Sequence, residues 1–247
     1  MRSLPSARPE AFLLDRPFAH RGLHGPGVPE NSGAAFAAAV ARGHGIECDV
    51  RLSGDGEAIV FHDADAERLT GTPGRIAEMG MAEIVALRLA DGSPIPTLAA
   101  LLDRVTGAVP LLIELKAPHR IVAPLCLAVR RALCGYAGPH AVMSFNPEVG
   151  HWFARHAPRT RRGLVVTEEG RHDLRGRIER RLALARSRAQ FLAYDVRALP
   201  SSFASAQLMR GMPLLGWTVR DAAALAAIRV AGAQPIYEEA GGWTLPA

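Results

Sequence analysis

Lysine is almost missing from this chain: of 29 basic residues only Lys116 is a lysine, and the rest are arginine. Cysteine is scarce as well. Cys48, Cys126 and Cys134 have neither metal-site nor disulfide-framework spacing, so buried reduced thiols and a cytoplasmic setting are expected. No apolar run reaches the ~20 residues of a membrane span, so no transmembrane segment is expected. Residues 1–15 carry arginines, prolines and acids but no apolar h-region, so no signal peptide is read. Aromatic residues make up 6% of the chain, and none is interleaved in the run Arg171, Arg175, Arg177, Arg180, Arg181, Arg186 and Arg188. Without stacking partners that run reads as a solvated basic helix, in preference to a footprint for nucleic acid or anionic lipid. A Gly-x-Gly-x-x-Gly turn after the first strand is absent, which argues against an open doubly wound sheet. No His-x-His follows that strand either, which disfavours a barrel amidohydrolase.

What is present is an ordinary globular balance, 49% hydrophobic and 21% charged over 247 residues, with a net charge of +5. Strand-like runs at 18–20, 46–52, 111–115, 141–145, 163–166, 191–194, 214–218 and 235–237 alternate with helical ones. The helical runs lie at 32–42, 98–105, 121–134, 148–156, 174–186, 205–211 and 222–230. Eight strands in regular alternation with helices predict an α/β fold, a closed TIM (β/α)8 barrel, as one domain over residues 1–247. Two breaks in the rhythm stand out. Ser53-Gly54-Asp55-Gly56 is hairpin-turn chemistry, followed by a strand over 58–62, so a β-hairpin should extend strand two. Residues 63–96 form a long Gly/Pro-containing connection, read as a loop insertion at the C-terminal face, over the site.

Five short pieces carry the chemistry: Ala19-His20-Arg21-Gly22, Pro29-Glu30-Asn31-Ser32, Glu47-Cys48-Asp49-Val50, Phe61-His62-Asp63 and Ile113-Glu114-Leu115-Lys116. Side chains alternate along a strand, so Glu47 and Asp49 share a face opposite Cys48, and Glu114 with Lys116 repeats that spacing. Two readings stay open for these acids. They either hold a divalent cation, Mg²⁺ or Ca²⁺ by their oxygen chemistry, or form a salt-bridge network with Arg51 or Lys116. His20 closes strand one in position for acid/base work, Arg21 offers a fork for phosphate oxygens, and Gly22 permits close backbone approach. A structural histidine is the competing reading for His20 and for His62, which Asp63 is placed to orient. His24, His44, His119, His140, His151, His156 and His172 read as surface. Asn31 or Ser32 reads as a helix N-cap, with support of His20 as the alternative.

In order along the chain, H-R-G from His20, P-E-N-S from Pro29, E-C-D-V-R-L-S-x-D-G from Glu47, V-F-H-D from Val60, R-L-T-G from Arg68, I-P-T-L from Ile95 and I-E-L-K from Ile113 resemble the glycerophosphodiester phosphodiesterase family. S-F at Ser144 and W-T-V at Trp217 extend the match. The resemblance implies a TIM barrel that splits small glycerophosphodiesters into glycerol 3-phosphate and an alcohol, with a divalent cation. It carries the catalytic histidines onto His20 and His62, the metal ligands onto Glu47, Asp49 and Glu114, and the phosphate contacts onto Arg21 and Lys116. Trp217 would wall the substrate pocket. A phospholipase acting on lipid or lysolipid diesters is the enzyme alternative, though residues 63–96 are charged where an apolar rim would be needed. A non-catalytic phosphate-ester-binding barrel is the alternative of another class. The chain departs from the family in its last strand: Gln234-Pro235-Ile236-Tyr237-Glu238-Glu239 stands where Asp-Gly-Ile-Ile-Thr-Asp is common, which places Tyr237 or Glu238 as candidate pocket residues.

Overall fold

The computed structural model describes residues 11–118 and 120–246. Eight parallel strands close into a barrel: β1 (Phe18–Ala19), β2 (Gly45–Leu52), β4 (Leu111–Leu115), β5 (His140–Ser144), β6 (Arg161–Val166), β7 (Phe191–Asp195), β8 (Leu214–Val219) and β9 (Gln234–Tyr237). Closure comes from β1, which pairs with β2 on one side and β9 on the other. The hairpin arm β3 (Ala58–Val60) lies antiparallel on β2, with Val50 opposite Val60. Around the barrel run α1 (Gly33–Arg42), α4 (Leu98–Val105), α5 (Ala123–Ala132), α6 (Pro147–His156), α7 (Leu174–Ser187), α8 (Ser202–Leu208) and α9 (Ala222–Val230). Most of these helices start where a short polar side chain satisfies a free N–H. Ser32 accepts from Ala35, Thr97 from Ala100, Asp173 from Gly176 and Asp221 from Ala224. Ser201 caps α8, which therefore begins earlier than its apolar pattern suggests.

The strict alternation of the strands divides the core in two. Phe18, Leu112, Ala141, Met143, Val165, Phe191, Ala193, Leu215 and Ile236 fill the barrel, with Leu13 of a single 3₁₀ turn packed among them. Ile46, Cys48, Val50, Ile113 and Leu115 face outward onto the helices. Residues 63–96 are more ordered than a loop. They contain α2 (Glu67–Thr70), a 3₁₀ turn and α3 (Met81–Ile84), and their Ala66, Ile76, Ile84, Leu87, Leu89 and Ile95 form a small core with Ile59 of the hairpin arm and Phe61 just after it. Their apolar residues are spaced too irregularly to show a helical period, which is why the pattern read as loop.

Two surface and core expectations need correction. Cys48 and Cys126 are buried, but Cys134 falls beyond the end of α5 and is exposed. Among the histidines read as surface, His156 and His172 are exposed, while His24, His44, His140 and His151 are half-buried. His119 and residues 1–10 lie outside the described residues. Four arginines of the basic run are paired to acids: Arg171, just before α7, and Arg175 to Glu179, Arg186 to Glu148, and the buried Arg180 to Glu168 at 3.0 Å.

Candidate active site

The C-terminal ends of the strands deliver the charged residues to one place. Asp49 and Glu114 are register partners on β2 and β4, and Glu47 stands two residues below Asp49 on the same inward face. Carboxylate oxygens from all three lie within 4.8 Å of one another, and the three side chains are buried. Burial, then Asp49 and Glu114, push the Glu47 carboxyl well above its usual range. Asp49 moves the other way: burial works to raise it, but Lys116 and Arg21 hold it below the usual carboxylate range.

Lys116 Nζ lies 2.6 Å from Glu114 Oε1 and 2.9 Å from Asp49 Oδ1. The salt bridge left open by the sequence is therefore made by Lys116. Arg51 takes no part; its Nε donates to the backbone carbonyl of His62 at 2.7 Å. Glu47 is left out of the pairing. Its Oε2 accepts the backbone N–H of Arg21 at 3.0 Å, whereas its buried Oε1 has no partner among the described residues. Three acids thus face two cations, Lys116 and Arg21, around an all-oxygen donor set. That set, with one orphaned oxygen, fits a hard divalent cation such as Mg²⁺ or Ca²⁺.

Backbone shape fixes the two neighbours of this cluster. Arg21 adopts a left-handed φ of 58°, which turns its guanidinium back over β2, with Nε 3.2 Å from Asp49 Oδ2 and NH1 donating to Glu30 at 2.8 Å. Gly22 follows at φ 77°; a Cβ there would come within 2.8 Å of Ala35 Cβ, so its small size serves packing against α1. Asn31 is also left-handed, at φ 54°, and it is not the cap. Its side chain clamps Asp49, donating to Oδ2 at 3.0 Å and accepting the Asp49 N–H at 3.3 Å. The cap is Ser32, and the support that Asn31 gives goes to Asp49, not to His20.

His20 and His62 line one cavity of about 390 Å³, together with Glu47, Glu114, Lys116 and Arg21. The far side sets apolar Met143, Phe145, Val165, Trp217 and Ile236 beside the polar Asp195, Arg197, Thr218 and Arg220. Trp217 is held there by its indole N–H donating to the Ala193 carbonyl at 3.0 Å and by an edge contact with Phe145. Burial lowers the pKa of both histidines, against the pull of Glu238 for His20 and of Asp49 for His62. Asp63 accepts from His62 Nδ1 at 2.7 Å and is gripped in turn by Arg68 of α2, which also binds Glu30. A continuous hydrogen-bonded chain therefore joins His62, Asp63, Arg68, Glu30 and Arg21.

Glu30 and Arg68 join the site residues named from sequence, and Glu238, a pocket candidate there, contacts His20 without lining the cavity itself. Glu30 and Arg68 stand inside quoted motifs, but nothing in one dimension says that they meet. Glu238 is two residues after the inward Ile236, so strand alternation points it at the site. Tyr237, by the same rule, faces outward; it is buried against the helices, with its hydroxyl 2.7 Å from His44 Nδ1, and does not line the cavity.

A family model described as "Glycerophosphoryl diester phosphodiesterase family" matches residues 20–238. The chain belongs to this family. A glycerophosphodiester phosphodiesterase of Caldanaerobacter subterraneus subsp. tengcongensis is 43% identical over 67 residues, 27% of each chain. The curated relatives are matched over less than half of their own length, 43% for one from Bacillus subtilis (strain 168). Solved structures agree over far more of the chain. A Thermotoga maritima glycerophosphodiester phosphodiesterase has a TM-score of 0.71 at 25% identity, covering 90% of this chain and 92% of its own. An Oleispira antarctica phosphodiesterase, solved with the product sn-glycerol-3-phosphate, shares the fold with a TM-score of 0.81 at 23% identity, covering 93% and 94%.

Proposed function

We propose that this chain is a divalent-cation-dependent phosphodiesterase that hydrolyses small glycerophosphodiesters to glycerol 3-phosphate and an alcohol. The observation that carries the reading is the buried Glu47–Asp49–Glu114 cluster, with one oxygen unpaired among the described residues, whose Glu47 and Glu114 line the same cavity as two histidines. Glu47, Asp49 and Glu114 would hold the cation, which when bound supplies Lewis-acid neutralisation of the phosphate charge. Arg21 and Lys116 add fixed positive charge where the phosphate oxygens gain charge in the transition state. His20 takes the proton of the nucleophile, water or the adjacent glycerol 2-hydroxyl, and His62 returns one to the leaving alkoxide. Attack by the 2-hydroxyl would gain from proximity and pass through a cyclic phosphate. The apolar wall of Phe145 and Trp217 accepts the carbon skeleton. The reading takes the chain as one barrel domain acting in the cytoplasm, with residues 63–96 supplying Asp63 and Arg68 to the edge of the site. Among the described residues no helix is long and apolar enough to cross a membrane.

The test is release of glycerol 3-phosphate from a panel of head groups, with chelator and with Mg²⁺ or Ca²⁺ restored. Release that is lost on chelation and recovered with the cation is expected. Absence of release from every diester in the presence of cation would favour a barrel that only binds phosphate esters.

A further inference from the structure

The divergent last strand ends beside the site, against His20. Tyr237 is the register partner of Ala19, its carbonyl accepts the His20 N–H at 2.8 Å, and the Glu238 N–H donates to the Val219 carbonyl at 3.0 Å. These bonds set the Glu238 side chain between His20 on one neighbouring strand end and Arg220 on the other. One carboxylate oxygen bonds His20 Nδ1, and the other accepts Arg220 Nε at 2.6 Å. The Glu238 side chain is 11% exposed. Burial works to raise its carboxyl, but the hydrogen bonds from His20 and Arg220, with His24 Nε2 3.8 Å away, hold it far below the usual range. An ionised carboxylate can only accept, so His20 Nδ1 must be the donor, and in the neutral imidazole Nε2 then keeps its lone pair. Nε2 is the nitrogen on the acid-cluster side, 3.8 Å from Glu47 Oε2.

We infer that Glu238 is a positioning residue for His20: it fixes the Nδ1–H tautomer and the ring plane, so that Nε2 faces the reacting centre as an acceptor. Arg220, half exposed at the rim, holds the second oxygen so that the carboxylate cannot rotate away. The inference rests on the reading of His20 as the base. It turns the departure at Glu238 into part of the machinery, coupled to Arg220 on the adjacent strand.

The experiment is long-range ¹H–¹⁵N NMR of the cation-loaded enzyme with labelled histidine, run beside steady-state kinetics. In Glu238→Gln the single carbonyl oxygen cannot serve both Arg220 and His20. With that oxygen on Arg220, the amide N–H₂ faces Nδ1 and drives His20 to the Nε2–H tautomer. The corresponding acid-to-amide change behind a serine-protease histidine costs about 10⁴ in kcat, so a loss of roughly 10²–10⁴ with KM little changed is expected here. Glu238→Ala leaves room for a small acid, and formate should restore part of its kcat but none in Glu238→Gln. Arg220→Ala, which leaves the interior intact, should cost about tenfold, the range of lost outer partners at such sites. A His20 tautomer unchanged in Glu238→Gln, or folded Glu238→Ala indifferent to formate, overturns the inference. A shifted tautomer with undiminished kcat upholds the positioning and removes His20 from the role of base.

Discussion

Glu47→Gln separates a cation site from a plain salt-bridge network, because the two readings give it opposite effects on stability. The Glu47 side chain is fully buried, Oε2 is committed to the Arg21 N–H, and Oε1 has no partner among the described residues. A buried acceptor left unpaired costs ~1–3 kcal/mol. Glutamine keeps the shape, can still accept from Arg21, and turns an N–H₂ toward Asp49 and Glu114 where a third acid stood. In chelator the variant should therefore be more stable than wild type, by ~1 kcal/mol or about 2–4 °C for a chain of this size. Added cation should invert the order. At a hundred times its dissociation constant a ligand adds ~2.7 kcal/mol, so the wild-type melting temperature should rise by roughly 5–11 °C. The variant, one ligand short, should move by less than ~2 °C under the same conditions and lose at least ~100-fold in rate. Calorimetry across a Mg²⁺ or Ca²⁺ titration, with rates measured on the same samples, reads all of this. A full cation response in Glu47→Gln, or a wild type whose melting and activity both ignore exhaustive chelation, refutes the reasoning.

Lys116→Arg keeps the charge but exchanges a point donor, bridging Asp49 and Glu114, for a planar fork. One misplaced transition-state contact of this kind costs ~3 kcal/mol, about a hundredfold in kcat, and a near wild-type rate would make the lone lysine an accident of composition. His62→Ala should be crippled on a diester with an alkyl leaving group yet much less on a nitrophenyl ester, which needs no proton. His20→Ala should be crippled on both; equal leaving-group dependence in the two variants rejects the division of labour. Glu168 reports on acid stability. Burial works to raise its carboxyl, but Ser201, Tyr194 and Arg180 hold it below its usual value. A depressed acid gives stability that is present above its unfolded pKa of ~4.3 and is lost as pH falls through the lower folded value. The melting difference between wild type and Glu168→Gln should therefore shrink below about pH 4.3, and a difference independent of pH contradicts it.

Sequence alone determined the barrel, because eight strands alternating with helices have few closed solutions and each strand carries its own period-two record of inside and outside. The same period put Glu47, Asp49 and Glu114 on inward faces, and the turn at Ser53 to Gly56 brought His62 back toward them. Local rules reached no further than one element. That Asn31 clamps Asp49, that Glu30 ties Arg21 to Arg68, and that Lys116 bridges two acids while Glu47 stays unpaired depend on distances between elements far apart in the chain. Left-handed backbone at Arg21 and Asn31 sets those distances, and residue type alone does not reveal it, since Arg and Asn usually adopt other conformations. Glu238 is the sharpest case. Alternation after Ile236 gave its direction, but only barrel closure, which sets β9 between β1 and β8, decided that it would meet His20 on one side and Arg220 on the other.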